Sequence, residues 1–134
     1  MSNISNDVRP KVADVVARYA DYCDHAEWEK AAGLFTDDGV FDAQAIFGQI
    51  VQGRPALAEF MSTRPAAVAH HPTTFYVDAV KDDEYHVRMK MLVLFHGALS
   101  SIDYQWTMTQ IGDEMQIRRQ EIAMVGRVTN KASR

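Results

Sequence analysis

The chain has 134 residues, 47% of them hydrophobic, enough for one domain whose core needs no cross-links. Its formal net charge is −4. No lysine or arginine cluster supplies the positive stripe that nucleic acid requires, and no apolar run approaches the ~20 residues of a membrane span.

Residues 1–7 read as a flexible polar tail, and residues 8–130 as a single domain. Cys23 is the only cysteine, which excludes an internal disulfide. The N-terminus lacks the apolar core of a signal peptide, so the expected compartment is the cytoplasm. From Val8 the pattern is helical: Val12, Val15, Val16, Tyr19 and Cys23 recur at three- and four-residue steps. Pro10 suits the first turn. Asp24-His25-Ala26-Glu27 reads as a capping box opening a second helix that carries Trp28, Ala31, Leu34 and Phe35. Asp37-Asp38-Gly39 reads as a turn and Val40–Ala43 as a short strand. Gln44–Gln52 reads as a loop or irregular strand, and Gly53-Arg54-Pro55 opens a third helix through Met61.

Beyond Pro65 the chain is β-rich. Thr73–Val80 reads as a strand, followed by a turn at Lys81–Glu84. In Tyr85–Phe95, Tyr85, Val87, Met89, Met91, Val93 and Phe95 share one face, opposite His86, Arg88 and Lys90. A turn is expected over Gly97–Ser100. Ile102–Ile111 and Met115–Val125 read as strands joined by Gly112-Asp113. This order predicts an α+β fold: a cone-shaped barrel of curved, mostly antiparallel sheet wrapped around N-terminal helices and enclosing a cavity.

Three segments resemble the SnoaL-like (nuclear-transport-factor-2-like) superfamily. They are the opening, Arg18–Trp28 followed by Leu34–Asp42, then Gly53-Arg54-Pro55-Ala56-Leu57, and Ala69-His70-His71-Pro72 ahead of a strand. Within it the chain resembles the scytalone dehydratase branch. That resemblance implies a catalytic aspartate at Asp24 and a histidine at His70, preferred over its neighbour His71. It implies a second histidine at His96, a serine at Ser101, and Asp103 where the branch has asparagine. The branch's two tyrosines are replaced by Cys23 and Ala43, leaving Tyr19 and Tyr76 as candidates to hold a substrate oxygen. Against ketosteroid isomerases, Tyr19 matches the oxyanion tyrosine, but the catalytic aspartate falls on Ala43. Asp42 beside it faces the other way. No aspartate–arginine–aspartate set suited to epoxide hydrolysis is evident.

The implied activity is a cofactor-independent and metal-independent dehydration of a small, largely apolar, carbonyl-activated substrate. Histidine supplies a base near neutral pH, and a carboxylate fixes its tautomer. His96 would relay a proton, while Ser101, Asp103, His71, Tyr19 and Tyr76 would bind substrate. The alternatives are a non-catalytic binding module and an isomerase. The first predicts Asp24 and His70 out of reach of each other and a closed or apolar cavity. The second predicts another carboxylate facing the cavity. By resemblance the partners are a small molecule and a second or third copy in a homodimer or homotrimer, with no nucleic acid and no membrane.

Several residues also have local readings. His96 shares the parity of the charged face of its strand, so only a bulge would turn it inward. Asp103 could pair with Arg118 or Arg119 across the sheet. Met89, Met91 and Met108 read as core or cavity lining. His25 and His86 read as solvated, and Cys23 as a small apolar filler whose pKa Asp24 would raise.

Overall fold

The stripe of Val12, Val15, Val16, Tyr19 and Cys23 is the buried face of α1, Val8–Asp24, in the computed structural model. The structure describes residues 4–63, 67–81 and 83–130. Of the expected tail, Ile4 already packs against the core. Helix α1 ends in a Schellman turn. The Glu27 N–H bonds the Tyr22 carbonyl at 2.8 Å, the Ala26 N–H bonds that of Cys23 at 3.2 Å, and Ala26 is left-handed at φ 57°. Asp24 is therefore the last residue of the helix. The expected capping box does not form: Glu27 is the N-cap of α2 (Trp28–Ala32), and no side chain caps that helix.

Helix α2 stops short of Leu34 and Phe35, because Phe35 opens β1, Phe35–Asp42. The turn expected at Asp37-Asp38-Gly39 is an excursion within that strand. Between Phe35 and Val40, β1 carries more residues than the matching stretch of β6, Glu114–Thr129. The ambiguous segment that follows resolves into α3 (Gln44–Phe47) and β2 (Ile50–Gln52), and α4 runs from Arg54 to Thr63. The Arg54 guanidinium donates to the Phe35 carbonyl at 2.7 and 2.9 Å and pairs with Asp37 at 2.9 Å, tying α4 to the excursion.

Strands β3 (Ala69–Lys81), β4 (Glu84–Phe95), β5 (Ala98–Ile111) and β6 follow as antiparallel neighbours. The turn between β3 and β4 falls as expected, although its Asp82 lies outside the described residues. The turn between β4 and β5 is tighter than expected, only His96-Gly97, so β5 begins at Ala98. Sheet order is β2-β1-β6-β5-β4-β3, with β1 parallel to β6. The sheet is curved but unclosed, with β2 and β3 at its edges. Its concave face carries Val87, Met89, Met91 and Val93 of β4 and Ile102, Tyr104, Trp106 and Met108 of β5, all buried. His86, Arg88 and Lys90 face outward as the alternation requires. No helix among the described residues is long and apolar enough to cross a membrane.

The excursion in β1 depends on Gly39. A Cβ there would lie 2.7 Å from the Phe35 Cβ, and Phe35 is fully buried and cannot retreat. Gly39→Ala is expected to lower stability by about 1–3 kcal/mol through overpacking, read as a lower urea midpoint with unchanged slope.

Candidate active site

The end of α1 and the start of β3 meet through Asp24 and His70. The His70 main-chain N–H reaches both Asp24 carboxylate oxygens at 3.0 Å, and the His70 ring Nδ1 lies 2.7 Å from Oδ1. A carboxylate at a helix C-terminus sits at the unfavourable end of the dipole. Here the two N–H groups of one histidine compensate. A carboxylate only accepts, so Nδ1 carries the proton and Nε2 is left as the basic nitrogen. The pair is largely shielded, with side-chain exposures of 14% for His70 and 20% for Asp24, so its hydrogen bonds meet limited competition from water.

His70 lines an interior cavity of about 260 Å³, walled by Phe41, Phe47, Phe60, Met61, Ile102 and Ile122. Its polar features are Tyr19, Cys23, Ser62, His70, Tyr104 and Arg127. A larger groove of about 610 Å³ lies outside, between α2 and α4, walled by residues such as Trp28, Glu29, Arg54 and Glu59. It holds no histidine and its cation is already paired, so the interior cavity is the candidate site.

Of the residues singled out in the sequence, Asp24, His70 and Tyr19 converge. The others do not. His96 is exposed in the β4–β5 turn, because the hairpin reverses there instead of bulging inward. His71 is exposed beside His70 with the opposite parity, and Tyr76 is 55% exposed on the outer face. Ser101 and Asp103 also lie outside the cavity lining, because Ser100, Ile102 and Tyr104 take the buried parity. Asp103 pairs with Lys90 at 2.7 Å, not with an arginine. His25 and His86 are exposed as expected, and Met89, Met91 and Met108 are buried.

Three contributors, and one buried serine outside the lining, were missed. Tyr104, not Tyr76, brings a second phenol to the cavity. Alternation with Ile102 and Trp106 was the available signal. Ser100, one residue before the expected serine, is fully buried, and its hydroxyl has no partner among the described residues. Arg127 lies over the Phe95 ring at 5.1 Å and adds a cation to the lining. Gln120 is fully buried, receives the Trp106 indole N–H at 2.8 Å and donates to the Tyr19 hydroxyl at 3.0 Å.

Burial pushes the Tyr19 and Tyr104 phenols well above their ordinary range, so both stay protonated donors. Burial, and then the Asp24 charge, pushes the Cys23 thiol up to about 12. No cluster of metal-binding side chains forms among the described residues.

A cavity under a curved sheet, with an aspartate–histidine pair joining helix to sheet, defines a cone-fold pocket protein. The SnoaL-like domain model matches residues 7–128, and the chain belongs to that family. No functionally curated protein matches the sequence. Among solved structures, the hexachlorocyclohexane dehydrochlorinase of Novosphingobium barchaimii superposes with a TM-score of 0.80. It is 14% identical, over 90% of this chain and 88% of its own. Two proteins of Novosphingobium aromaticivorans also superpose. One, provisionally assigned as a scytalone dehydratase, has a TM-score of 0.77 at 17% identity over 90% and 86% of the two chains. The other, provisionally assigned as an aromatic ring hydroxylase, reaches 0.81 at 18% over 95% and 96%. At these identities the likeness establishes the fold, which hosts more than one named activity.

Three measurements follow from the site. Nitrogen NMR of neutral His70 is expected to show the Nδ1–H tautomer, and Asp24→Asn should convert it to a mixture. Cys23 should resist iodoacetamide in the folded protein and react once unfolded. Its folded pKa is raised above the ordinary 9.0. The stability it contributes is therefore complete below pH 9 and should fall as pH rises from there towards 12.

Proposed function

We propose that this protein is a cofactor-independent lyase that removes water from a small, largely apolar substrate bearing a hydroxyl β to a carbonyl. The observation that carries this reading is the 2.7 Å contact between Asp24 and Nδ1 of His70, which lines the cavity. Asp24 holds the imidazole in one tautomer, and Nε2 removes the proton from the carbon next to the carbonyl. Charge gathers on the carbonyl oxygen, and a neutral phenol, Tyr19 or Tyr104, donates to it. The electron pair then returns from the enolate, the carbon–carbon double bond forms and the carbon–oxygen bond breaks. The leaving hydroxide takes a proton and departs as water.

His96 does not supply that proton from its exposed turn. The proton just taken by His70 is delivered instead, so one imidazole serves both steps and elimination proceeds on one face of the substrate. Arg127, at the Phe95 end of the lining, favours a substrate with an electron-rich oxygen away from the reacting carbon.

A pure binding module would leave Asp24 and His70 apart, or line the cavity with apolar groups alone. An isomerase would place a second carboxylate in the cavity. No carboxylate occurs among the described lining residues, and Asp42 is held outside by Arg119 at 2.7 Å.

The test is turnover of a panel of β-hydroxy ketones, followed by the absorbance of the conjugated product. His70→Gln is expected to lower kcat by roughly a hundredfold or more, and Asp24→Asn should lower it substantially with little change in KM. Saturable binding of the panel without product in the wild type would sink the lyase reading in favour of a binding module.

A further inference from the structure

The buried chain Trp106–Gln120–Tyr19 has a direction. An indole N–H can only donate. Trp106 Nε1 lies 2.8 Å from Gln120 Oε1, so the carbonyl end of that amide faces the indole. The amide nitrogen then faces Tyr19 Oη at 3.0 Å, and it too can only donate. Tyr19 Oη is thus an acceptor towards Gln120, and its own proton must be spent elsewhere. Among the described residues no nitrogen or oxygen other than that of Gln120 bonds that hydroxyl, and the neighbouring Cys23 thiol is at most a weak acceptor. Both residues line the cavity, and the Tyr19 ring meets the His70 ring edge-on at 6.4 Å.

We infer that Gln120, oriented by Trp106, is a positioning residue that commits the Tyr19 hydroxyl proton to the cavity, where it is donated to a ligand carbonyl. This rests on the reading of the cavity as a site for a carbonyl-bearing substrate. Gln120 touches no substrate itself. Its side chain is fully buried, and both its polar ends are taken by Trp106 and Tyr19. A ligand oxygen has no stronger acceptor than a thiol to displace, so the donor is available at little cost.

The experiment uses acetophenone as the probe and isotope-edited infrared spectroscopy of its carbonyl. In the wild type the bound band is expected below its position in hexane. In Tyr19→Phe it should return to the hexane position, with binding weaker by about fivefold, as for one neutral hydrogen bond. Gln120→Glu is the decisive variant. An ionised carboxylate accepts from both Trp106 and Tyr19, so it withdraws the proton from the cavity and the band moves to the hexane position. On acidification the protonated carboxyl mimics the amide and the band returns, while the wild type, recorded over the same range, controls for His70.

Trp106→Phe provides a second route should that variant not fold. Without the indole N–H the amide is free to turn and accept from Tyr19, and the band is expected to split in two. The inference is overturned if acetophenone does not bind, if its wild-type band matches hexane, or if either variant keeps a single wild-type band throughout. A shifted band without turnover of the hydroxy ketones sinks the lyase reading alone, and turnover with an unshifted band sinks this inference alone.

Discussion

The Asp24 carboxylate is the group that joins the end of the first helix to the sheet and orients the His70 ring. It closes α1 at the end of the helix dipole that disfavours it, and it is stabilised there by the His70 main chain at 3.0 Å and the His70 ring at 2.7 Å. The main-chain contact fixes where β3 begins relative to the helix. The ring contact fixes the tautomer. The Schellman turn helps set this geometry, because Ala26 in the left-handed region reverses the chain just after Asp24.

The sheet turns that junction into a site by simple register. His70 is paired with Val93, Val93 with Ser100, and Ser100 with Arg127. The row crosses β3, β4, β5 and β6. Three strand spacings separate its ends, roughly 14 Å at ordinary sheet geometry. His70 therefore lies at one end of the row and the Arg127 backbone at the other. Between these two polar ends the row holds the buried Val93 and Ser100.

Much of this was legible because it is local and periodic. The α1 stripe, the alternation of β4 and the Gly112-Asp113 hairpin are set by neighbouring residues, and they fell where the pattern placed them. Asp24 and His70 were legible only by resemblance, since no local pattern joins residues so far apart in the chain. The failures have two physical sources. One is parity: a single-residue slip exchanges the faces of a strand, and Ser101 and Asp103, taken by resemblance, fall on the face opposite the buried Ser100, Ile102 and Tyr104. The other is interruption of parity. A bulge in β6 moves the pairing from Ser101 with Gly126 to Ile102 with Met124 and brings Arg127 onto the face of Ile122 and Met124. Alternation alone would have placed Gly126 there. The parallel contact of β1 with β6 joins distant segments and leaves no mark in either.

The polar chain in the core raises a question that packing alone does not answer. A fully buried glutamine must give up its hydration, and it recovers the loss only if both ends of its amide find partners. Gln120 satisfies that condition with Trp106 and Tyr19, yet an apolar trio of similar volume would fill the same space without the condition. Stability therefore does not require the chain. What the amide adds is direction: it accepts at one end, donates at the other, and so decides which way the Tyr19 hydroxyl can point. The dyad obeys the same logic. Asp24 can only accept, so it decides which nitrogen of His70 is basic. In both places a group with one fixed polarity sets the proton of a group that could adopt either, and both settings are made at the wall of the same cavity.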